Sequence, residues 1–142
     1  MRDIWRRDAT TAKVAWLRML MLARDLHRHT SAPVQRAGLT MAQFVVLTRV
    51  FEAPGNAQGE LASWLGVSEG NASQLVARLE AAGLVERRVD GRSYRLFITD
   101  SGGELLRTVM PEHDAAVVER FSVLTKTEQR QLNGLLRKLH RA

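Results

Sequence analysis

No cysteine occurs among the 142 residues, so disulfides and thiol redox sensing are excluded, as suits a protein of the reducing cytoplasm. Long apolar runs are missing as well. The longest, Val14 to Ala23, is interrupted by Arg18 and is too short to span a bilayer. No signal-peptide pattern opens the chain, and no membrane partner is expected. A Gly-rich phosphate loop, a nucleophile elbow and a His-Glu-x-x-His motif are all lacking. The four histidines, His27, His29, His113 and His140, stand without cysteines or a spaced carboxylate set. His27 and His29, two apart, point to different sides of a helix. His113, between Glu112 and Asp114, reads as part of a solvated charged face. No metal site, cofactor or catalytic residue set is therefore expected. Internal repeats and low-complexity segments are also absent.

What is present suits one domain, or one domain plus an oligomerisation element. Hydrophobic residues make up 45% of the chain, and the formal net charge is +6. Such a charge favours an anionic partner, but it is unevenly spread. Residues 1–36 hold seven arginines and one lysine against three aspartates. Residues 56–100 hold five arginines against six acidic residues. Within that segment only the stretch Arg78–Arg95 is basic, with five arginines against three acids.

Read along the chain, the pattern is almost all helix with one hairpin. A first helix is expected over about 8–30, where Val14, Trp16, Leu17, Leu20, Met21, Leu22 and Leu26 leave only a narrow polar strip. A helix apolar nearly all round needs two covering surfaces, and a second subunit can supply one. Thr40 caps a helix over about 40–52 with Phe44, Leu47 and Val50 inward. Pro54-Gly55 breaks the chain, and a short helix follows over about 57–65 with Leu61, Ala62 and Leu65 inward. Gly66-Val67-Ser68 turns into the next helix, making a helix-turn-helix. Ser101 is placed to cap a helix over about 102–122, which Pro111 is expected to kink. Thr125 with Glu128 forms a capping box for a last helix carrying Leu132, Leu135, Leu136 and Leu139 in one stripe.

Residues 66–88 carry the most information. Ser68 caps the helix over about 69–82, and Glu69 suits the helix dipole in its first turn. Ala72, Leu75, Val76 and Leu79 form its apolar face. The other side carries Gly70, Gln74, Ala77 and Ala81, flanked by Asn71, Ser73 and Arg78. Small residues let the backbone approach another surface. Asn71 and Gln74 can each pair with an adenine edge, and Ser73 can reach a base or a phosphate. Arg78 is better placed for phosphate. Gly83 ends the helix. Strands at Leu84–Val89 and Tyr94–Thr99 follow, joined through Asp90-Gly91, and Arg87, Arg88, Arg92 and Arg95 load them with positive charge. The same residues also suit an ordinary amphipathic surface helix followed by a charge-protected edge hairpin.

The order and its local words resemble the MarR family of winged-helix transcription regulators. The matching words are Gly38-Leu39-Thr40 with Gln43-Phe44 and Leu47; Glu60-Leu61-Ala62 with Leu65; Gly66-Val67-Ser68; Leu75-Val76 and Arg78-Leu79-Glu80; Gly83-Leu84-Val85 with Arg87-Arg88; and Ile98-Thr99 with Gly102. The resemblance implies a mainly α fold, a winged helix-turn-helix with a two-stranded wing and flanking dimerisation helices. Residues 1–36 and 101–142 would form the dimerisation region, and 37–100 the DNA-binding lobe of a homodimer. Ser68, Asn71, Ser73, Gln74 and Arg78 would then belong to a helix entering the major groove of double-stranded DNA. Arg88, Asp90, Arg92 and Arg95 would belong to a wing reaching the adjacent minor groove. Such a protein would be a repressor of a pseudo-palindromic operator, released by a small, aromatic acid-like effector. The candidate effector-lining residues are Trp16, Met19, Met21, His27, Arg36 and Phe44. The family wing commonly runs longer than Asp90-Gly91-Arg92-Ser93, and the short hairpin favours phosphate roles for Arg92 and Arg95. A winged-helix protein-interaction module without DNA binding would use the same helix face. A membrane-surface helix would use Trp5, Arg6, Arg7 and Trp16.

Overall fold

The computed structural model describes residues 7–140; Trp5 and Arg6, with the rest of 1–6 and 141–142, lie outside the described residues. The order is α1 (Arg7–Arg36), α2 (Met41–Glu52), β1 (Asn56–Ala57), α3 (Gln58–Leu65), α4 (Glu69–Ala81), β2 (Val85–Asp90), β3 (Ser93–Ile98), α5 (Asp100–Phe121) and α6 (Lys126–His140). The chain divides into two compact units, one of residues 1–30 and 114–142, the other of 31–113.

The 31–113 unit holds the helix-turn-helix and its hairpin. Its core joins Val34 and Leu39 to Phe44, Leu47 and Val50 of α2, Leu61 of α3, Val76 and Leu79 of α4, Val85 and Leu96 of the hairpin, and Leu106 and Val109 of α5. These are the periodic apolar positions of each element, which is why the helices form where their stripes predict. Thr40 caps α2 in a complete capping box: its hydroxyl accepts from the Gln43 N–H (3.1 Å) and the Gln43 side chain accepts from the Thr40 N–H (2.9 Å). Between α3 and α4, Gly66 takes φ +67°. There the Gly66 and Val67 amides donate back to Ser63 (3.2 Å) and Ala62 (3.1 Å). A side chain with Cβ resists that left-handed conformation.

The structure differs from the sequence reading at four places. Helix α1 runs past residue 30 to Arg36. Thr30 donates its hydroxyl to the Leu26 carbonyl within the helix (2.9 Å), and burial of Pro33 and Val34 offsets the amide that proline lacks. Helix α5 starts at Asp100, ahead of the expected cap Ser101, with the Thr99 hydroxyl accepting from the Gly102 N–H (3.1 Å), and it runs through Pro111 to Phe121 as expected. The wing gains a third strand, because Asn56 and Ala57 pair antiparallel with Leu96 and Arg95, giving the order β1-β3-β2. The hairpin loop is Gly91-Arg92, since Asp90 pairs with Ser93. Glycine at the first central position suits a type II′ turn.

In the unit of 1–30 and 114–142, the Thr125–Glu128 capping box forms: the Thr125 N–H and hydroxyl donate to Glu128 Oε2 at 2.8 and 3.0 Å. Those two bonds hold the Glu128 carboxyl below the usual glutamate range. The Gln129 amide donates to the carbonyls of Phe121 (3.0 Å) and Leu124 (3.1 Å), fixing the turn between α5 and α6. Much of this unit's apolar surface stays exposed: Trp16 (53%), Leu17, Leu20 and Met21 on α1, and Leu135, Leu136 and Leu139 on α6.

Candidate nucleic-acid interface

Helix α4 is set by its ends and its buried face. The Ser68 hydroxyl accepts from the Asn71 N–H (3.2 Å), and Glu69 stands in the first turn. Ala72, Val76 and Leu79 are fully buried, with Leu75 half-buried. The remaining face is therefore turned outward, and Asn71, Gln74 and Arg78 stand exposed along it. With Val67 and Leu75 they line one shallow surface depression. Ser73 is half-buried, and its carbonyl is already engaged by the hairpin.

The hairpin has two chemically different faces, fixed by strand alternation. Glu86, Arg88 and Asp90 lie opposite Phe97, Arg95 and Ser93. Arg88 and Arg95 face each other directly, an arrangement that repels unless each is neutralised. Each is. Arg88 Nε donates to Glu86 (2.9 Å), and its guanidinium lies 4.1 Å from the Phe97 ring centre. Arg95 Nε donates to Asp90 (2.7 Å), and its Nη1 donates to the Gly55 carbonyl (3.1 Å). The Arg88 guanidinium, by hydrogen bond and charge, holds the Glu86 carboxyl below the usual range.

Arg87 occupies the opposite face and turns inward. Its Nη2 donates to the Ser73 carbonyl (2.6 Å), its N–H donates to Glu80 (3.3 Å), and its guanidinium lies 5.4 Å from the Tyr94 ring centre. The side chain is only 16% exposed. Arg87 thus ties β2 to α4 and sets the hairpin beside the exposed helix face. Charge pattern alone groups it with the surface arginines Arg88, Arg92 and Arg95. Its parity with Val85, which the apolar pattern sends to the core, was the signal that it points the same way.

Of the five arginines between 78 and 95, three are compensated within the chain. Arg78 on α4 and Arg92 at the hairpin tip remain, making no side-chain ion pair among the described residues. The structure brings Asn71, Gln74 and Arg78 onto the outward face of α4, with Ser68 as its N-cap. It places Arg88, Asp90 and Arg95 in the hairpin's own charge network and Arg92 beyond it.

The expected effector-lining residues divide differently. Trp16 and Met21 are exposed on α1, Met19 is half-buried and His27 exposed. The apolar cavity of about 240 Å³ in that unit is lined by Leu22, Leu26, Phe121, Val123, Leu124 and Leu132, with Arg120, and by none of those four. In the other unit Phe44 is a core residue, 4% exposed, with its ring 4.8 Å from that of His113. Arg36 is exposed and ion-paired to Glu112. Among the described residues, no group of three or more His, Cys, Asp or Glu could hold a metal ion. No described helix is long and apolar enough to cross a membrane.

Residues 39–95 match the family model of the MarR family. An HTH-type transcriptional regulator of Bacillus cereus is 31% identical over 136 residues, covering 95% of this chain and 92% of that protein. The transcriptional repressor MprA of Escherichia coli is 39% identical over 83 residues, which span 56% of this chain and 47% of MprA. Among solved structures, Sco3205, a MarR family transcriptional regulator from Streptomyces coelicolor in complex with DNA, is similar at 30% identity and a TM-score of 0.82. That likeness covers 90% of this chain and 88% of Sco3205.

Proposed function

This chain belongs to the MarR family of transcription regulators, and from that premise we propose that it works in the cytoplasm as a homodimeric repressor of a pseudo-palindromic operator. It is a regulator and not an enzyme. The observation that carries the reading is the outward face of α4, where Asn71, Gln74 and Arg78 stand exposed with no side-chain hydrogen bond among the described residues. Polar groups so presented beside a fixed hairpin suit the edges of bases and the phosphates flanking them. Arg78 and Arg92 are the phosphate ligands this geometry favours. Arg88 and Arg95 have guanidinium N–H groups left for phosphate, but their charge is already partly offset by Glu86 and Asp90.

Two copies of α4 would meet successive major grooves about 34 Å apart. The exposed apolar surfaces of α1 and α6 support residues 1–36 and 101–142 as the dimerisation region. The repressor role follows the name of the relative MprA. Release by a small aromatic acid completes the proposal, and such a ligand must bind the DNA-incompetent form more tightly to shift the equilibrium.

Gel-shift titration at two salt concentrations tests the reading. Affinity is expected to fall steeply with salt, because phosphate neutralisation supplies much of it. Gln74→Ala is expected to weaken the selected operator by about 1–3 kcal/mol and relax base choice. Binding indifferent to salt, or no retention of duplex DNA, would leave the protein-interaction reading of the same face standing instead.

A further inference from the structure

The depression on the α4 face is bounded by the polar side chains of Asn71, Gln74 and Arg78 and lined between them by Val67 and Leu75. It measures about 260 Å³. Leu75 packs partly against the core. Val67 does not belong to the core cluster and is 37% exposed. Its place is nonetheless fixed, since its N–H donates to the Ala62 carbonyl at the end of α3 (3.1 Å). A branched apolar side chain is thus held at the edge of a polar helix face without filling the interior.

We propose that this Val67–Leu75 depression receives the 5-methyl group of a thymine, making Val67 a determinant of base specificity. The inference rests on the reading of α4 as the groove-entering helix. In the major groove, the methyl is the one apolar group that a base pair displays. It lies on the same edge as the adenine N6 and N7 that Gln74 or Asn71 can grip. A cytosine at that position carries only hydrogen at C5 and leaves the depression unfilled, and its guanine partner removes the adenine that Gln74 or Asn71 would grip. Polar rim and apolar lining thus read both bases of one A·T pair, the thymine methyl adding to the hold on adenine.

The test uses a duplex selected by the wild-type protein from a random-sequence pool, with its thymines replaced one at a time by deoxyuridine. This removes a methyl and leaves base pairing unchanged. One or two positions in each half-site are expected to lose about fourfold in affinity, the worth of one buried methyl-sized group. In Val67→Ala the same replacements should be nearly silent, against an unmodified duplex still bound. If every replacement is silent for the wild type while the parent duplex binds, the methyl site is refuted and the DNA-binding reading stands. If the losses persist undiminished in Val67→Ala, the site is likewise refuted. If the pool yields no bound duplex, both fall. Should Val67→Ala fold poorly, the near-isosteric Val67→Thr is expected to blunt the same losses, and undiminished losses in it refute the site.

Discussion

Gly102 shows how one residue constrains the site from outside it. A Cβ at this position would lie 2.2 Å from the Leu84 carbonyl oxygen and 2.8 Å from Ile98 Cγ1. The crowding atom is backbone, so no side-chain rotation relieves it. Around it Thr99 acts as a clasp: its hydroxyl donates to the Gly83 carbonyl (2.6 Å) and accepts from the Gly102 N–H (3.1 Å). The end of α4, the base of the hairpin and the start of α5 meet there. Gly102→Ala is expected to cost about 1–3 kcal/mol, the usual penalty of overpacking, read from the urea midpoint. A midpoint equal to wild type would mean that the approach is looser than these distances.

At the scale of elements, the relation of the hairpin to α4 depends on Arg87. Two of its contacts reach across, to the Ser73 carbonyl and to Glu80, while the Tyr94 ring beneath its guanidinium belongs to the hairpin itself. Arg87→Met keeps the length of the stem and removes the donors. Hydrogen bonds to charged groups are worth about 1.5–3 kcal/mol each, so amide exchange is expected to quicken across residues 85–98. Exchange in α4, anchored by Ala72, Val76 and Leu79, should change less. Uniform quickening of both elements would show that Arg87 supports the whole unit and not their junction. The same elements show what the sequence could disclose. The capping boxes at Thr40 and Thr125, the apolar faces of α2 and α4 and the glycine closing α3 are local, and local chemistry specifies them. Strand β1 is two residues long and exists only because Asn56 and Ala57 meet β3 through backbone atoms, which no side-chain pattern announces. The inward turn of Arg87 depended on a partner seven residues earlier, Glu80, on another element.

For the whole molecule, the large question is what covers the apolar surface left on α1 and α6. Leu20 is 52% exposed and Leu135 66%. Large apolar side chains exposed in this number suit an interaction surface, and a second copy of the chain is the partner that the proposed homodimer requires. Leu20→Glu is expected to convert a dimer to a monomer in sedimentation velocity and to abolish tight operator binding. A dimer that survives the substitution would move the interface elsewhere. The fold class and the outward helix were legible from sequence at this scale, because stripes and turns recur along the whole chain. The charge arrangement was not. Five arginines against three acids described a basic stretch, and only cross-strand geometry shows which charges cancel.

That cancellation bears on how strongly a salt solution can loosen the grip on DNA. Carboxylates at Glu80, Glu86 and Asp90 behave as resident counterions, already neutralising cations that would otherwise displace sodium or potassium from the duplex. An arginine tally alone would therefore overstate the ionic-strength dependence of the hairpin. The protein carries part of its electrolyte atmosphere within its own covalent structure, where dilution cannot remove it.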